Sequence, residues 1–238
     1  MIDILAIAAH PDDVELCAGG TLLTHKAMGY TTGIIDLTRG EMGTRGTAKI
    51  RDQEAAAAAK ILNLDVRENM AFKDVFFTND EEHKVKLVAK IRKYRPKIVI
   101  TNAEEDRHPD HGKASNLVEE ACFWAGLKNL ETFDKNGNLQ EPHRPTKVYH
   151  FIQSRSITPD FYVDISDVYD QRLEAYMAFK SQLYNPNSNE PETYIASPDF
   201  LSMLEGRARE YGNRIGVMYA EGFTQRGFLG VTDLGKLL

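Results

Sequence analysis

Two short polar segments, HPDD at residues 10–13 and HPDH at residues 108–111, contain the residue types from which proteins build catalytic metal sites. Two histidines and one carboxylate, with a position left open for water, are a usual ligand set for catalytic zinc. Zinc lowers the pKa of its bound water to about 7, which supplies a hydroxide nucleophile at neutral pH. The aspartate and histidine side chains left over are suited to accept the proton of the water and to protonate a leaving group.

Both segments directly follow an apolar strand. Residues 2–9 (IDILAIAA) and 97–103 (KIVITNA) are nearly continuous apolar runs, which is typical of strands buried on both faces of a parallel sheet. Ligands of such sheets bind outside the carboxyl ends of the strands, where the strand order reverses. If the order is 3-2-1-4, the two strands are neighbours and their polar segments meet across one crevice. The side chains brought together would be His10, Asp12, Asp13, His108, Asp110 and His111.

The rest of the chain alternates strands and helices. This pattern predicts an α/β fold with a Rossmann-like, open, mostly parallel sheet, helices on both faces, and extra strands and helices at the C-terminal end. We find no internal repeat and no linker, so we expect one domain over residues 1–238. The predicted strands cover residues 2–9, 31–38, 66–72, 97–103, 147–154 and 161–166. The predicted helices cover residues 13–28, 48–62, 80–94, 112–127, 167–183 and 198–214. The predicted irregular segments are 129–146, 185–193 (a lid or wall over a site) and the tail AEGFTQRGFLG at 220–230.

The composition of the chain indicates which binding partners and which cellular compartment to expect. The formal net charge of −6 argues against a nucleic acid or an anionic membrane surface as partner. No apolar run approaches the roughly 18–20 residues needed to span a bilayer, and the start, MIDILAIAAH, is too short and too acidic for a signal peptide. The two cysteines, Cys17 and Cys122, make no disulfide framework, which predicts a reducing cytoplasm.

Each motif alone has a simpler interpretation. Asp12 or Asp13 could cap the helix that follows, which is worth about 1 kcal/mol, and HPDH could be a helix-entry turn. His150, in the middle of a predicted strand, fits a packed core position better than a metal ligand. A metal-free module that binds sugars or nucleotides is a further alternative. The pairing of two such motifs counts against it, because binding alone requires no base and acid beside a set of metal ligands.

Several segments make the sequence resemble the LmbE/PIG-L-like zinc-dependent de-N-acetylases over about residues 2–230. Within this family it looks most like the branch that deacetylates N-acetylglucosaminyl-malate in bacillithiol biosynthesis. The segments that carry the resemblance are AHPDDVE (9–15), DLTRGEMGTRGT (36–47), EDRHPDHG (105–112), HRPTKVYHF (143–151) and AEGF (220–223).

The resemblance implies a role for each polar residue of the two motifs. The metal ligands would be His10, Asp13 and His111, holding one zinc ion per chain or another divalent metal in its place. Asp12 would be the general base, and Asp110 would orient a histidine. His108, as imidazolium, would stabilise the developing charge or protonate the departing amine.

The resemblance also implies a small-molecule N-acetylglucosamine (GlcNAc) glycoside as substrate and a homo-oligomeric protein. Other GlcNAc derivatives, such as chitooligosaccharide, inositol-linked or antibiotic-linked ones, remain alternatives. Arginines suit the carboxylates of a malate group. Because Asp106 and Arg107 occupy the positions where some relatives have an oxyanion-binding tyrosine, Tyr194 is taken as the substitute, with an amphipathic loop anchor as its alternative role. The substrate-binding candidates are Arg51, then Arg107, with Arg45 and Glu41 beside them.

Overall fold

The computed structural model describes residues 1–236 and shows an open seven-stranded sheet with helices on both faces. The strands are β1 (Ile4–Ala8), β2 (Thr32–Thr38), β3 (Val66–Phe72), β4 (Ile98–Asn102), β5 (Lys147–Phe151), β6 (Phe161–Asp164) and β7 (Ala220–Thr224). The helices are α1 (Asp13–Cys17), α2 (Gly19–Ala27), α3 (Ala48–Ile61), α4 (Glu81–Tyr94), α5 (Pro109–Ala125), α6 (Tyr169–Met177) and α7 (Phe200–Ile215).

The strand order confirms the predicted α/β class and the predicted neighbours. The order across the sheet is β3-β2-β1-β4-β5-β7-β6, and the first five strands are parallel. β1 lies between β2 and β4, so the chain reverses its direction of winding at the boundary of β1 and β4. This is the switch point at which such sheets bind ligands.

The core lies on both faces of the sheet, which explains the continuous apolar runs. Leu5 and Ile7 of β1 pack with Val99 of β4 under α4 and α5. The alternate residues Ile4 and Ala6 face α1, α2, α6 and α7 on the other side. Because successive strand residues point to opposite faces, a strand covered on both sides must be apolar at every position.

The predicted helix 13–28 is two helices in the structure. Ala18 leaves helical geometry with φ −142° and ψ 3°, and α2 begins at Gly19. The break frees the first backbone N–H groups of α2. The carboxylate of Glu221 accepts hydrogen bonds from the Gly20 N–H (2.9 Å) and the Thr21 N–H (2.7 Å). A carboxylate at a helix N-terminus is stabilised by the helix dipole as well as by these bonds.

The prediction of an irregular tail at 220–230 was wrong for its first five residues. These residues form β7, which pairs antiparallel with both β5 and β6. The strand is fixed by the buried Glu221, whose carboxylate accepts hydrogen bonds from residues about 200 positions earlier in the chain. The local sequence pattern around residues 220–224 does not indicate a partner so far away in the chain.

Among residues 1–236, no helix combines the length and the apolar character needed to cross a membrane. Cys17 and Cys122 are both buried free thiols. The extent of the domain over residues 1–238 stays a prediction.

Candidate active site

The two polar motifs meet at the carboxyl ends of β1 and β4. Pro109 occupies the first turn of α5 and His108 its N-cap, so the HPDH motif enters the helix three residues earlier than predicted. The ring centroids of His10 and His108 lie 4.7 Å apart, and those of His10 and His111 lie 5.6 Å apart. The two motifs therefore share one crevice, as the predicted strand order requires.

Asp13 lies between the two histidines that were predicted to bind metal with it. Its oxygens are 3.5 Å from His10 Nδ1 and 3.3 Å from His111 Nε2. In a tetrahedral zinc site with ligand distances of about 2.0–2.2 Å, neighbouring donor atoms are separated by about 3.3–3.6 Å. The two separations fall in that range, each to a different oxygen of Asp13. Donor atoms that all lie within 4.8 Å of one another come from His10, His108 and His111, and from His10, Asp74 and Asp110.

The second nitrogen of each of these histidines faces a carboxylate. His10 Nε2 lies 3.1 Å from Asp74 Oδ1 and 3.5 Å from Asp110 Oδ2. His111 Nδ1 is hydrogen-bonded to Asp106 Oδ2. A ligating histidine usually donates its other N–H to a carboxylate, which fixes the tautomer and orients the ring. These contacts leave His10 Nδ1 and His111 Nε2 as the nitrogens available to a metal.

The carboxylate of Asp13 is held by a network of its own. Its Oδ2 accepts hydrogen bonds from the His10 N–H (3.0 Å) and from Asn102 Nδ2 (3.1 Å), and its Oδ1 accepts one from Gln153 Nε2 (2.6 Å). Asn102 Oδ1 accepts in turn from the Ala9 N–H at the end of β1 (2.9 Å). The Asp13 side chain is therefore held by residues at or just after the carboxyl ends of β1, β4 and β5, which are neighbours in the sheet.

The charges of the site favour a cation. Burial by itself would lower the pKa of His10, but hydrogen bonds to Asp110, Asp13 and Asp74 outweigh it and raise that pKa well above its usual value. Burial also lowers the pKa of His111, but the charge of Asp13 and hydrogen bonds to Asp106 and Asp13 outweigh it and raise that pKa to about 9. Groups that attract a proton this strongly also attract a divalent metal ion. The donor types, their spacing and this negative field all fit a metal site.

Asp12 has the geometry and the environment of a base. It occupies the N-cap position of α1, yet its side chain makes no capping hydrogen bond, so the simple capping role does not apply. Its φ of 110° is a strained conformation for a non-glycine residue and aims the side chain into the cleft. Burial raises the pKa of Asp12 to about 7, the Arg51 guanidinium opposes this, and the Asp13 charge adds to it. Arg51 Nη2 lies 3.2 Å from Asp12 Oδ2.

His108 is best described as a neutral imidazole. Its Nδ1 accepts a hydrogen bond from the Asp110 N–H at the start of α5 (3.3 Å), which leaves the proton on Nε2. Burial lowers the pKa of His108, and the nearby His10 and His111 lower it further. The positive end of the α5 dipole acts in the same direction. The imidazolium form implied by the resemblance is therefore disfavoured in this position.

A cavity of about 160 Å³, which we call the catalytic cleft, is lined by His10, Asp12, Asp13, Arg51, Asp74, Arg107, His108 and His111. One wall is a loop after β3. Val75 in this loop has φ 68°, a strained value for a β-branched residue. Its N–H donates to Asp110 Oδ2 (3.0 Å), and its carbonyl accepts from Lys113 Nζ (2.7 Å). The remaining lining includes Leu16, Gly40, Met42, Gly43, Gln153, Gln182 and Ile195.

A second, larger cavity of about 310 Å³ adjoins the catalytic cleft. We call it the α7 cavity, because one face of α7 forms much of its wall. The two cavities share Leu16, Arg107, Gln153 and Ile195. The other residues of the α7 cavity are Cys17, Ser154, Arg155, Ser156, Tyr194, Phe200, Met203, Leu204, Gly206, Arg207, Glu210 and Tyr211.

Two of the predicted arginines line the catalytic cleft, one buried and one exposed. Arg51 is buried and bonded to the Pro11 carbonyl and to Asp12, so it braces the candidate base. Arg107 is exposed, its guanidinium lies 4.4 Å from the centre of the Tyr194 ring, and it lines both cavities. Arg107 is thus better placed than Arg51 to meet a substrate.

The positions of Arg45, Glu41 and Tyr194 argue against their predicted roles. The buried guanidinium of Arg45 donates to backbone carbonyls of the 181–191 segment, including that of Ser181 (3.0 Å). Glu41 accepts from the Asp74 N–H (2.8 Å) and so holds the loop after β3. The hydroxyl of Tyr194 points to Met203 Sδ (3.7 Å) in the α7 cavity, away from the metal donors.

Sequence reasoning missed Asp74, Asp106 and Asn102. Asp106 stands five residues before His111 in the same polar cluster, a signal that could have suggested a carboxylate partner for that histidine. Asn102 ends a buried strand, where a polar side chain is itself a sign of a site. Asp74 follows β3 in the segment KDVFF, and nothing local distinguishes it from a surface aspartate.

Known de-N-acetylases and deacetylases are similar to this chain. The family model for PIG-L, GlcNAc-PI de-N-acetylase, matches residues 5–122. Diacetylchitobiose deacetylase of Thermococcus kodakarensis is 31% identical, over 92% of this chain and 81% of that protein. A probable N-acetyl-alpha-D-glucosaminyl L-malate deacetylase 2 of Bacillus anthracis is 28% identical, over 64% of this chain and 76% of that protein. The similarity therefore does not single out the malate branch that the sequence motifs suggested.

The fold has a near match among solved structures. The conserved protein TT1542 from Thermus thermophilus superposes with a TM-score of 0.85 at 39% sequence identity. The match covers 97% of this chain and 98% of that protein. The same sheet and helices are therefore present in both chains.

Proposed function

This chain belongs to the PIG-L family of de-N-acetylases, and from that premise we propose that it hydrolyses the acetamide of an N-acetylglucosaminyl conjugate with an acidic aglycone. The products are the free amine and acetate. N-acetylglucosaminyl-malate, suggested by the sequence motifs, is the specific substrate we propose. The observation that carries the proposal is the position of Asp13 between His10 and His111, with Asp12 and His108 beside them in one cleft.

His10 Nδ1, the Asp13 carboxylate and His111 Nε2 would hold one zinc ion. When bound there, zinc supplies a low-pKa water and polarises the acetamide carbonyl. Nitrogen and carboxylate donors of this number are typical of catalytic zinc sites. The carboxylates of Asp74 and Asp106 keep both ligand rings in the required tautomer.

Asp12 moves the proton that the reaction requires. Its Oδ2 contacts Arg51, which leaves Oδ1 to accept the proton of the attacking water. The new bond joins the oxygen of that water to the acetamide carbon, and the bond from this carbon to nitrogen then breaks. Asp12 Oδ1 returns the proton to the leaving nitrogen. A pKa of about 7 suits a group that must both accept and donate a proton near neutral pH.

His108 stabilises the negative charge that develops on the carbonyl oxygen. Its Nε2–H is free to donate, because the Nδ1 atom already accepts the Asp110 N–H. A preorganised donor of this kind contributes most when water is excluded from the site. We assign this role to His108 in place of Tyr194, whose hydroxyl faces the other cavity.

The acidic aglycone is supported by Arg107. This exposed guanidinium lies where the catalytic cleft meets the α7 cavity, and among residues 1–236 it has no carboxylate partner. Neutral chitooligosaccharide and inositol-linked substrates are the alternatives within the family. A binding module without catalysis is the alternative outside it.

A substrate panel tests the proposal. Acetate release is measured with N-acetylglucosaminyl-malate, diacetylchitobiose and an inositol-linked GlcNAc, with zinc quantified in the same preparation. We expect release from the malate conjugate at the highest kcat/KM and about one zinc per chain. Release only from the neutral substrates would refute the acidic aglycone. Zinc-loaded protein with no release from any GlcNAc derivative would refute the proposed function as a whole.

A further inference from the structure

The α7 cavity is open to a ligand that starts in the catalytic cleft. Leu16, Arg107, Gln153 and Ile195 line both spaces, so the two cavities adjoin along these residues. The volume of about 310 Å³ is within the range of small-molecule binding sites. A conjugate whose acetamide reaches the metal donors can therefore place its other end in this cavity.

The lining of the α7 cavity carries an excess of positive charge. Arg155 is paired with Glu105 (3.4 Å), and Glu210 is paired with Arg214 (2.9 Å). The two cations that remain are Arg107 and Arg207. For neither is a carboxylate oxygen found within 4.0 Å in the part of the chain that the structure describes.

Arg207 differs from the other arginines of its own helix. Arg209 is paired with Glu205 (2.8 Å) and Arg214 with Glu210 (2.9 Å), in each case with the acidic residue four positions earlier on the helix. Four residues before Arg207 stands Met203, which also lines the cavity. Arg207 is half-buried, and within residues 1–236 the one hydrogen-bond partner of its guanidinium is the Sγ of Cys17 at 3.7 Å.

A half-buried guanidinium without a counter-ion is unfavourable, because part of its hydration is lost and nothing replaces it. A bound carboxylate replaces the lost hydration well, since the planar guanidinium of arginine can donate two parallel hydrogen bonds to the two carboxylate oxygens. The rest of the lining suits a short carbon chain that bears hydroxyl or carboxylate groups. Apolar surface comes from Phe200 and Leu204, and hydroxyl groups come from Ser154 and Ser156.

We propose that the α7 cavity is the aglycone subsite and that Arg207, together with Arg107, determines specificity for a carboxylate-bearing aglycone. This inference rests on the proposed deacetylation, and it adds the location and the residues of substrate selection. Arg207 has no part in the chemistry at the acetamide. Its loss should therefore affect the binding of acidic substrates alone.

The test compares Arg207→Met with Arg209→Met, the matched control on the same helix. For N-acetylglucosaminyl-malate we expect Arg207→Met to raise KM by about 10–100-fold, the range for loss of a charged hydrogen-bonded pair. The kcat for this substrate should change less than about twofold, because the reacting atoms are untouched. Diacetylchitobiose hydrolysis should be unchanged. Arg209→Met should behave as the wild type with both substrates.

Binding of free L-malate provides a measurement that does not depend on turnover. Calorimetry with the zinc-loaded wild type should detect malate binding, which Arg207→Met should abolish and Arg207→Lys should weaken. If Arg207→Met does not fold, the lysine variant decides the question by the same measurement. No malate binding to the wild type, or equal binding by wild type and Arg207→Lys, would overturn the subsite. Loss of acetate release with every substrate would instead overturn the proposed function, while the calorimetry would still test the cavity.

Discussion

The proposed metal donors and the α7 cavity lie side by side but are built in opposite ways. At the metal donors the charged side chains are fully engaged: the Asp13 carboxylate alone accepts three hydrogen bonds. In the α7 cavity the guanidinium of Arg207 has, in the described part of the chain, a single weak hydrogen bond, to a thiol. The first arrangement holds groups in a fixed geometry, as chemistry requires. The second leaves binding capacity for a ligand.

The two regions also come from different parts of the chain. The two polar motifs fall within residues 5–122, which the family model matches. Most of the α7 cavity comes from residues 153–156 and 194–211, which lie outside the match. The acetamide is common to all N-acetylglucosaminyl substrates, whereas the aglycone differs among them. We therefore expect catalysis and substrate selection to be separable by mutation.

Asp13→Ala should have the largest effect. Removal of this carboxylate takes away one of the three proposed metal ligands and an acceptor of both Asn102 and Gln153. We expect the zinc content to fall far below one per chain and the activity to fall by at least ~10³-fold with every substrate, because metal and base can no longer act together. Metal analysis after gel filtration checks the first point. A variant that retains full zinc would contradict the ligand role of Asp13.

Asp12→Asn should preserve the metal and lose turnover. The amide oxygen can still accept from Arg51, so the buried contact is kept, but the side chain no longer accepts a proton. We expect kcat to fall by ~10²–10⁴-fold, the usual contribution of a general base. The factor should be the same for N-acetylglucosaminyl-malate and diacetylchitobiose. Unequal factors would show that the base and the aglycone site are coupled after all.

The sequence predicted the meeting of the two polar motifs for a physical reason. Buried parallel strands must be apolar throughout, so the first polar residues after β1 and β4 are conspicuous, and the strand order places them together. The helix boundaries were less accurate. The start of α2 depends on a tertiary contact with Glu221, whereas the start of α5 depends on local residues, Pro109 and the His108 cap.

The substrate-binding residues were less predictable from sequence. Arg45 and Arg51 share one segment, yet Arg45 binds the carbonyls of a loop about 140 positions away. Which arginine remains without a partner depends on every acidic residue that folds beside it. Arg207 illustrates this point, because only its orientation on α7 separates it from Arg209.

Asp74→Asn and Asp106→Asn should have intermediate effects. Each aspartate holds the second nitrogen of a metal-binding histidine, and an amide does so without the negative charge. Loss of such a partner typically costs 10–100-fold in metal affinity or activity. Competition with a zinc chelator measures the affinity. Asp80→Asn, at the N-cap of α4, lines neither cavity; it is the matched control and should not differ from the wild type. Wild-type zinc affinity in both site variants would remove these carboxylates from the metal centre.

Lys113→Met should have the smallest effect, and it examines the wall of the catalytic cleft. Lys113 Nζ binds both the Val75 carbonyl (2.7 Å) and Asp110 Oδ1 (2.8 Å). Val75 keeps a strained φ, which costs on the order of 1–3 kcal/mol and requires such contacts to persist. Without the lysine the loop should relax, and the part of the cleft that receives the sugar should lose its shape.

We expect KM to rise by about 5-fold, which corresponds to about 1 kcal/mol, the net contribution of an ordinary hydrogen bond, with little change in kcat. Because Val75 lines the catalytic cleft and not the α7 cavity, the rise should be equal for acidic and neutral aglycones. Lys86→Met, which removes an exposed lysine paired with Glu82 on α4, controls for loss of surface charge. A rise in KM confined to the malate conjugate would mean that the sugar and the aglycone are not bound separately in the catalytic cleft and the α7 cavity. In that case the wall formed by Val75 and the arginines of the α7 cavity would have to be treated as one binding surface.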